Sequence, residues 1–215
     1  MTTLAEKYRP ETLADVVGQD KAVKTIQSLI ARSALGGRAI DITGKSGTGK
    51  TTLAKIIAGL FADSLLIRET VARELTPRAI ADWHFDCRQS TLFEKQGHAL
   101  IVNERHGLSR PCIEKFLDVL ENLPSNAVVI FTTTVEGDLL FEDQNIDASP
   151  FRSRCLSIAL SQRDLCKPFA SAVQKIAQAE NLDGKPIDAY ERLLKDCGNN
   201  FREALTRIEA GIMLN

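Results

Sequence analysis

The stretch "GKSGTGKTT", residues 44–52, stands directly between the short apolar run "RAIDIT" (38–43) and a segment with helical spacing. A GxxxxGK[ST] pattern in that setting constrains the chain more than any other feature. It requires a strand that stops where the loop begins and a helix whose first turn faces back over it. Gly44, Gly47 and Gly49 let successive backbone N–H groups turn inward, and the helix N-terminus adds its dipole. With Lys45, Ser46, Thr48 and Thr52 completing the loop, this is a cradle for β- and γ-phosphates. Lys50 supplies a point charge to them, and Thr51 offers a hydroxyl to Mg²⁺. The implied ligands are ATP and Mg²⁺.

The surrounding pattern agrees with such a loop. Besides 38–43, the runs "SLLIRE" (64–69), "HALIV" (98–102), "NAVVIFT" (126–132) and "RCLSIAL" (154–160) are short and rich in Ile, Val and Leu, as buried parallel strands are. Helical patterns separate most of them. Ala22, Val23, Ile26, Leu29 and Ile30 fall on one face before the first strand, and Ile113, Phe116, Leu117 and Leu120 do so after the third. Ser109 is placed to cap that second helix, with Pro111 in its first turn. Alternation of this kind predicts an α/β fold with a parallel five-stranded sheet flanked by helices on both faces. After residue 160 three helical segments follow, separated by "LDGKP" and "GNN". The expected organisation is a nucleotide-binding base domain over 1–160 and a small helical lid over 161–215.

Composition excludes several classes. At 215 residues and 44% hydrophobic, the chain buries a core readily. No run approaches the roughly 18 apolar residues that span a bilayer, and "MTTLAEKYRP" lacks the apolar centre of a signal peptide, so a cytoplasmic address without membrane partners is expected. The five cysteines are scattered, with no CxxC pair, and read as reduced packing thiols. His84, His98 and His106 are dispersed and suggest no metal site. A net charge of −1 excludes a globally basic nucleic-acid binder.

"HALIVNERHGLS" (98–109) ends a strand in Asn103 and Glu104, where a P-loop hydrolase usually carries Asp and Glu. The strand 98–102 is expected to run beside the P-loop strand and to deliver both residues to the metal side. An amide oxygen can still hold a water on Mg²⁺, though without charge, so Asn103 predicts weakened metal holding, and Asn103→Asp is expected to strengthen it. Glu104 keeps the carboxylate that polarises an attacking water.

These motifs together resemble the clamp-loader branch of the AAA+ ATPases, the replication factor C subunits and bacterial gamma/tau subunits. "EKYRPETLADVVGQD" (6–20) is similar to that family's N-terminal signature, "NERHGLS" to its DExHxLS segment, and "SRC" (153–155) to its arginine-finger motif. The resemblance covers nearly all of the chain. It implies that Tyr8, Arg9, Val17, Gly18 and Gln19 line the adenine pocket. It makes Thr134 the γ-phosphate sensor at the end of the fourth strand, with Thr133 a close rival. Arg154 would serve the nucleotide of a neighbouring subunit, and Arg202, in "GNNFREAL" (198–205), would reach the γ-phosphate from the lid, with Asn199 where the family tends to have glycine.

The resemblance further implies an ATP-hydrolysing AAA+ subunit with other AAA+ subunits, of its own kind or different, as partners, and a sliding clamp and primed DNA as further partners. By the same resemblance, the chain is expected to lack the family's C-terminal collar domain. Arg68, Arg73, Arg78 and Arg88 surround the helix "TPRAIADW" (76–83), but Glu69, Glu74, Asp82 and Asp86 intersperse them, which reads as a mixed, solvated face more than a DNA surface. The alternative function is a nucleotide-dependent scaffold or regulator with slow or no hydrolysis, because Asn103 replaces the usual Asp.

Overall fold

The computed structural model describes residues 2–89, 95, 97–134 and 149–214. Five strands, β1 (Arg38–Thr43), β2 (Ala62–Val71), β3 (Gly97–Asn103), β4 (Ala127–Thr133) and β5 (Cys155–Ala159), pair in parallel in the order β2-β3-β4-β1-β5. The helices between them are α3 (Lys50–Phe61), α4 (Pro77–Asp86), α5 (Arg110–Glu121) and a short α6 (Ser149–Ser153); α1 (Leu4–Lys7) and α2 (Asp20–Ala31) precede β1. The parallel five-stranded sheet expected from the apolar runs is therefore present. Ser109 does occupy the N-cap of α5, with Pro111 in the first turn, but its side chain makes no capping bond.

Alternate strand residues feed two separate cores, as burial on both faces requires. Leu100, Val102, Val129 and Phe131 pack towards α4 and α5, whereas Ile40, Ile42, Ile101 and Ile130 pack towards α2 and α3. Two expectations need correction. The run 64–69 is not a buried strand: β2 is an edge, Leu65 is 75% exposed, and the register with β3 shifts between Ala62 and Ile67. Nor does β3 run beside the P-loop strand, because β4 lies between them and pairs with both. The sequence pattern shows which segments are strands, but strand order depends on how the crossovers are routed.

Beyond β5, α7 (Cys166–Ala179), α8 (Ile187–Asp196) and α9 (Phe201–Glu209) share a third core that includes Phe169, Val173, Tyr190, Leu194 and Ile208. Leu4 is buried in this helical core, and Tyr8 packs against it. The five cysteines are free, and burial pushes the thiols of Cys87 and Cys155 up to about 12, as suits packing residues. Among the described residues no helix is long and apolar enough to cross a membrane.

One polar pair lies inside the sheet's α4–α5 face. Arg105 is fully buried, its Nε donates to Asp41 Oδ1 of β1 at 3.1 Å, and its guanidinium lies 5.7 Å from the Phe151 ring centroid. Phe151 in turn meets Phe116 and Phe131 edge-on. Removing one member of a buried pair leaves the other charge badly solvated, so Asp41→Ala is expected to cost about 3–5 kcal/mol of unfolding free energy. Asp41→Leu combined with Arg105→Met should cost much less. Urea denaturation of the variants measures both, and a double variant as unstable as the single one would contradict this account.

Candidate nucleotide and metal site

The P-loop follows β1 without a break, and its two sharpest turns fall at glycine: Gly47 has φ +73° and Gly49, the N-cap of α3, φ +97°. Neither conformation suits a residue with a Cβ. Lys50 opens α3 and is 7% exposed. Its Nζ donates to the carbonyls of Gly44 at 2.9 Å and Lys45 at 2.8 Å, so the ammonium is folded into its own loop. Thr48 Oγ1 donates to the Lys45 carbonyl at 2.8 Å and closes the loop from the other side.

Next to Lys50, Thr51 Oγ1 donates to Asn103 Oδ1 at 3.3 Å, and Thr132 Oγ1 of β4 donates to the same oxygen at 3.0 Å. The intervening strand thus contributes a hydroxyl that the sequence reading did not assign. Asn103 Nδ2 donates to Glu69 Oε1 of β2 at 2.9 Å, and Lys55 Nζ of α3 pairs with Glu69 Oε2 at 2.8 Å. A chain of contacts therefore runs from the first turn of α3 across β3 to the sheet edge and back to α3. The donor set is hydroxyl, amide and carboxylate oxygen, which suits a hard cation such as Mg²⁺, and the glycine turns suit phosphate. The residues present fit both ligands that the sequence implies.

Glu104 follows Asn103 with φ +55° and ψ +53°, a left-handed conformation that costs a residue with a Cβ. The Gly107 N–H bond to its carbonyl at 2.8 Å and the burial of Arg105 hold it there. Its side chain is 45% exposed, and His106 Nδ1 stands 3.4 Å from Glu104 Oε2 and 3.2 Å from Thr133 Oγ1. Of the two sensor candidates, Thr133 is the buried last residue of β4 and meets His106, while Thr134 lies just beyond the strand.

Arg154 is engaged elsewhere. Its guanidinium donates to the Pro150 carbonyl at 2.8 Å and pairs with Glu121 of α5. It immediately precedes β5, whose first residue pairs with Ala39, near the start of β1; the P-loop lies at the other end of that strand. At about 3.3 Å per residue, the five residues from Ala39 to Gly44 separate the two by roughly 17 Å along the strand direction.

Arg202 is exposed in the first turn of α9. Gly198 and Asn199 before it both adopt left-handed φ, +58° and +60°, so the asparagine follows the turn its glycine neighbour makes. Asn200, the N-cap of α9, accepts from the Glu203 N–H and lies directly on the P-loop: a Cβ at Gly47 would fall 1.8 Å from Asn200 Oδ1. Asparagine one residue before a helical run is a capping signal, and could have marked this position in the sequence.

The N-terminal residues gather at the junction of sheet and lid. The buried Gln19 side chain makes two bonds to the Ser161 backbone, accepting at 2.7 Å and donating at 3.3 Å. A Cβ on Gly18 would meet Leu165 at 2.8 Å and Phe169 at 3.2 Å, so only glycine permits this approach to α7. Lys7 Nζ donates to Glu180 at 2.7 Å, as does the Tyr8 hydroxyl, and these bonds hold the Glu180 carboxyl below its ordinary range. Arg9 is half-buried and Val17 exposed beside them.

On the α4 face, Arg68 pairs with Asp86 at 2.5 Å and Arg78 lies 3.8 Å from Asp82. Among the described residues no group of three His, Cys, Asp or Glu side chains is arranged to hold a metal.

No protein-family model matches the chain. It is 26% identical to the replication factor C small subunit of Methanoregula boonei, over all of this chain and 64% of that protein. It is 27% identical to DNA polymerase III subunit gamma of Buchnera aphidicola subsp. Baizongia pistaciae, over 98% of this chain and 60% of that one. The chain thus spans less than two thirds of the length of these relatives. Among solved structures, the RuvB Holliday junction branch migration motor of Thermotoga maritima superposes with a TM-score of 0.71 at 21% identity, covering 94% of this chain and 64% of that one. The chain therefore has the fold of AAA+ P-loop proteins, and along nearly its whole length it is similar to subunits of replication factor C and DNA polymerase III.

Proposed function

We propose that this chain binds ATP with Mg²⁺ at residues 44–52 and hydrolyses it as one subunit of an AAA+ assembly of the clamp-loader kind. The observation that carries the reading is the convergence of Lys50, Thr51, Asn103 and Thr132 where β1, β4 and β3 end beside the P-loop. Lys50 and the loop N–H groups hold the phosphates, and Thr51 with Asn103 holds Mg²⁺, which screens the charge of the phosphate oxygens when bound. Glu104, at the end of the same strand, accepts a proton from the attacking water. Thr134 or Thr133 senses the γ-phosphate, and Arg202 contacts it from the lid. Tyr8, Arg9, Val17, Gly18 and Gln19 enclose the adenine.

Arg154 acts on a neighbour's nucleotide in this reading. The separation of about 17 Å from its own P-loop along β1 supports that division, since a guanidinium works on phosphate only in direct contact. Its pairing with Glu121 must open first. Partners are then other AAA+ subunits, and by relatedness a sliding clamp and primed DNA; the paired Arg68 and Arg78 favour a mixed face over a DNA surface at α4. A second reading, a nucleotide-dependent scaffold with slow or no hydrolysis, is favoured by the uncharged Asn103. Multiple-turnover ATPase assays with and without primed DNA separate the two.

Lys50→Ala is expected to remove most nucleotide affinity in calorimetry, because it deletes the side-chain charge aimed at the phosphates. Unchanged affinity would sink the assignment. Glu104→Gln should leave ATP binding intact and abolish turnover, which parallel binding and phosphate-release measurements check. For the shared site, Arg154→Ala and Lys50→Ala chains should each be inactive alone and recover partial turnover when mixed, since an arginine finger is worth about 10³- to 10⁵-fold. Full activity from an isolated monomer would return Arg154 to a local structural role.

A further inference from the structure

Glu69 lies outside every motif in the chain, yet it is the only described side chain bonded to the amide nitrogen of Asn103. Strand register explains the meeting. Val71 of β2 pairs with Asn103, so Glu69, two residues earlier, shares the sheet face that carries Asn103, Thr51 and Lys55. A carboxylate can only accept hydrogen bonds, so the group of Asn103 that meets it must be the NH₂. The amide oxygen then has to face the hydroxyls of Thr51 and Thr132, and it accepts from both.

We propose that Glu69 is a positioning residue for the metal side of the nucleotide site: it locks the Asn103 amide with its oxygen towards Thr51 and Mg²⁺. This rests on the ATP–Mg²⁺ reading above and deepens it. Without Glu69 the amide is free to turn and present an NH₂ to a cation. Lys55, at 2.8 Å from the other Glu69 oxygen, directs that carboxylate along the row while offsetting its charge at the metal. Asn103 and Glu69 therefore work as a matched pair. Asparagine is the residue that can both donate to a neighbouring carboxylate and offer an oxygen to the metal side.

The pairing reverses an expectation drawn from the sequence alone. Asn103→Asp restores a charge, but it also replaces the donating NH₂ by an oxygen about 3 Å from Glu69 Oε1, so the orienting hydrogen bond is lost and two acceptor oxygens face each other. The single substitution is therefore expected to leave Mg²⁺ binding no tighter than in the wild-type chain. Combined with Glu69→Gln, whose amide NH₂ can donate to the new aspartate, it should tighten.

The experiment titrates Mg²⁺ into each 215-residue chain with a fluorescent, non-hydrolysable ATP analogue and reads the Mg²⁺ concentration at half-maximal binding. Melting without nucleotide controls for folding. Loss of one charge-assisted hydrogen bond predicts a midpoint about 10-fold higher for Glu69→Ala. Glu69→Gln, whose side-chain oxygen still accepts from Asn103, should stay closer to wild type than Glu69→Ala, and serves if the alanine variant does not fold. The Asn103→Asp, Glu69→Gln chain should have a lower midpoint than Asn103→Asp. An unchanged midpoint in Glu69→Ala, or Asn103→Asp tightening Mg²⁺ by itself, overturns the role of Glu69 while leaving the ATP site standing. A wild-type chain that binds no nucleotide at any Mg²⁺ concentration overturns both.

Discussion

The parallel register of β1, β4 and β3 is the constraint on which the rest of the site depends. Thr43 pairs with Thr133, and Val102 pairs with Phe131, so the three strands end level with one another at the edge where the P-loop begins. Parallel strands share direction, so all their C-terminal ends meet the helix N-terminus that completes the phosphate cradle. A one-residue slip of β3 would turn Asn103 to the opposite face, away from Thr51 and Thr132. The continuous apolar cores on both faces are what prevent such a slip. Ile101 and Ile130 on one side, and Val102 and Phe131 on the other, have no exposed register available.

The P-loop, the five strands and the helical lid were legible in the sequence because each is a local pattern: glycine spacing, apolar runs, and turn residues between helical stretches. Contacts across strands were not legible in this way. Thr132 and Glu69 reach Asn103 only because β4 lies between β1 and β3 and β2 lies outside β3. Linear pattern carries no strand order, so the sequence reading placed β3 beside β1 and missed both residues. The same applies to Arg105, whose buried partner Asp41 lies on a strand distant in sequence. Edge position escaped for a related reason: "SLLIRE" has the composition of a buried strand, and only the absence of a further paired strand in the described sheet leaves Leu65 exposed.

The C-terminal helices have a core separate from the two that flank the sheet, and they meet the rest of the chain through a few specific contacts. Gln19 clasps the Ser161 backbone where the chain leaves β5, and Gly18 lets the preceding loop touch Leu165 and Phe169. Tyr8 and Lys7 hold Glu180 at the end of α7, and Asn200 rests on Gly47. The segment expected to enclose adenine and the helices expected to cover the phosphates are thus attached to each other. Residues 4–8 belong with the helices beyond Ser161 in packing terms, because Leu4 is buried in the core that those helices share and Tyr8 packs against it.

The buried pair of Asp41 and Arg105 has a geometric consequence that its energy does not suggest. Such pairs roughly break even against apolar replacements, so its contribution to stability is weak evidence for why it is there. Its position matters more. Arg105 directly follows Glu104, whose left-handed backbone is uphill by about 1–2 kcal/mol and persists only where neighbouring structure over-determines it. Anchoring the next side chain in the core supplies that determination. The same guanidinium stacks over Phe151, in the short helix that ends just before Arg154, and Phe151 is wedged against Phe116 and Phe131. One buried cation therefore fixes both the carboxylate at the end of β3 and the segment that carries the candidate finger. Close-packed aromatic contacts leave little room for either to shift independently of the other.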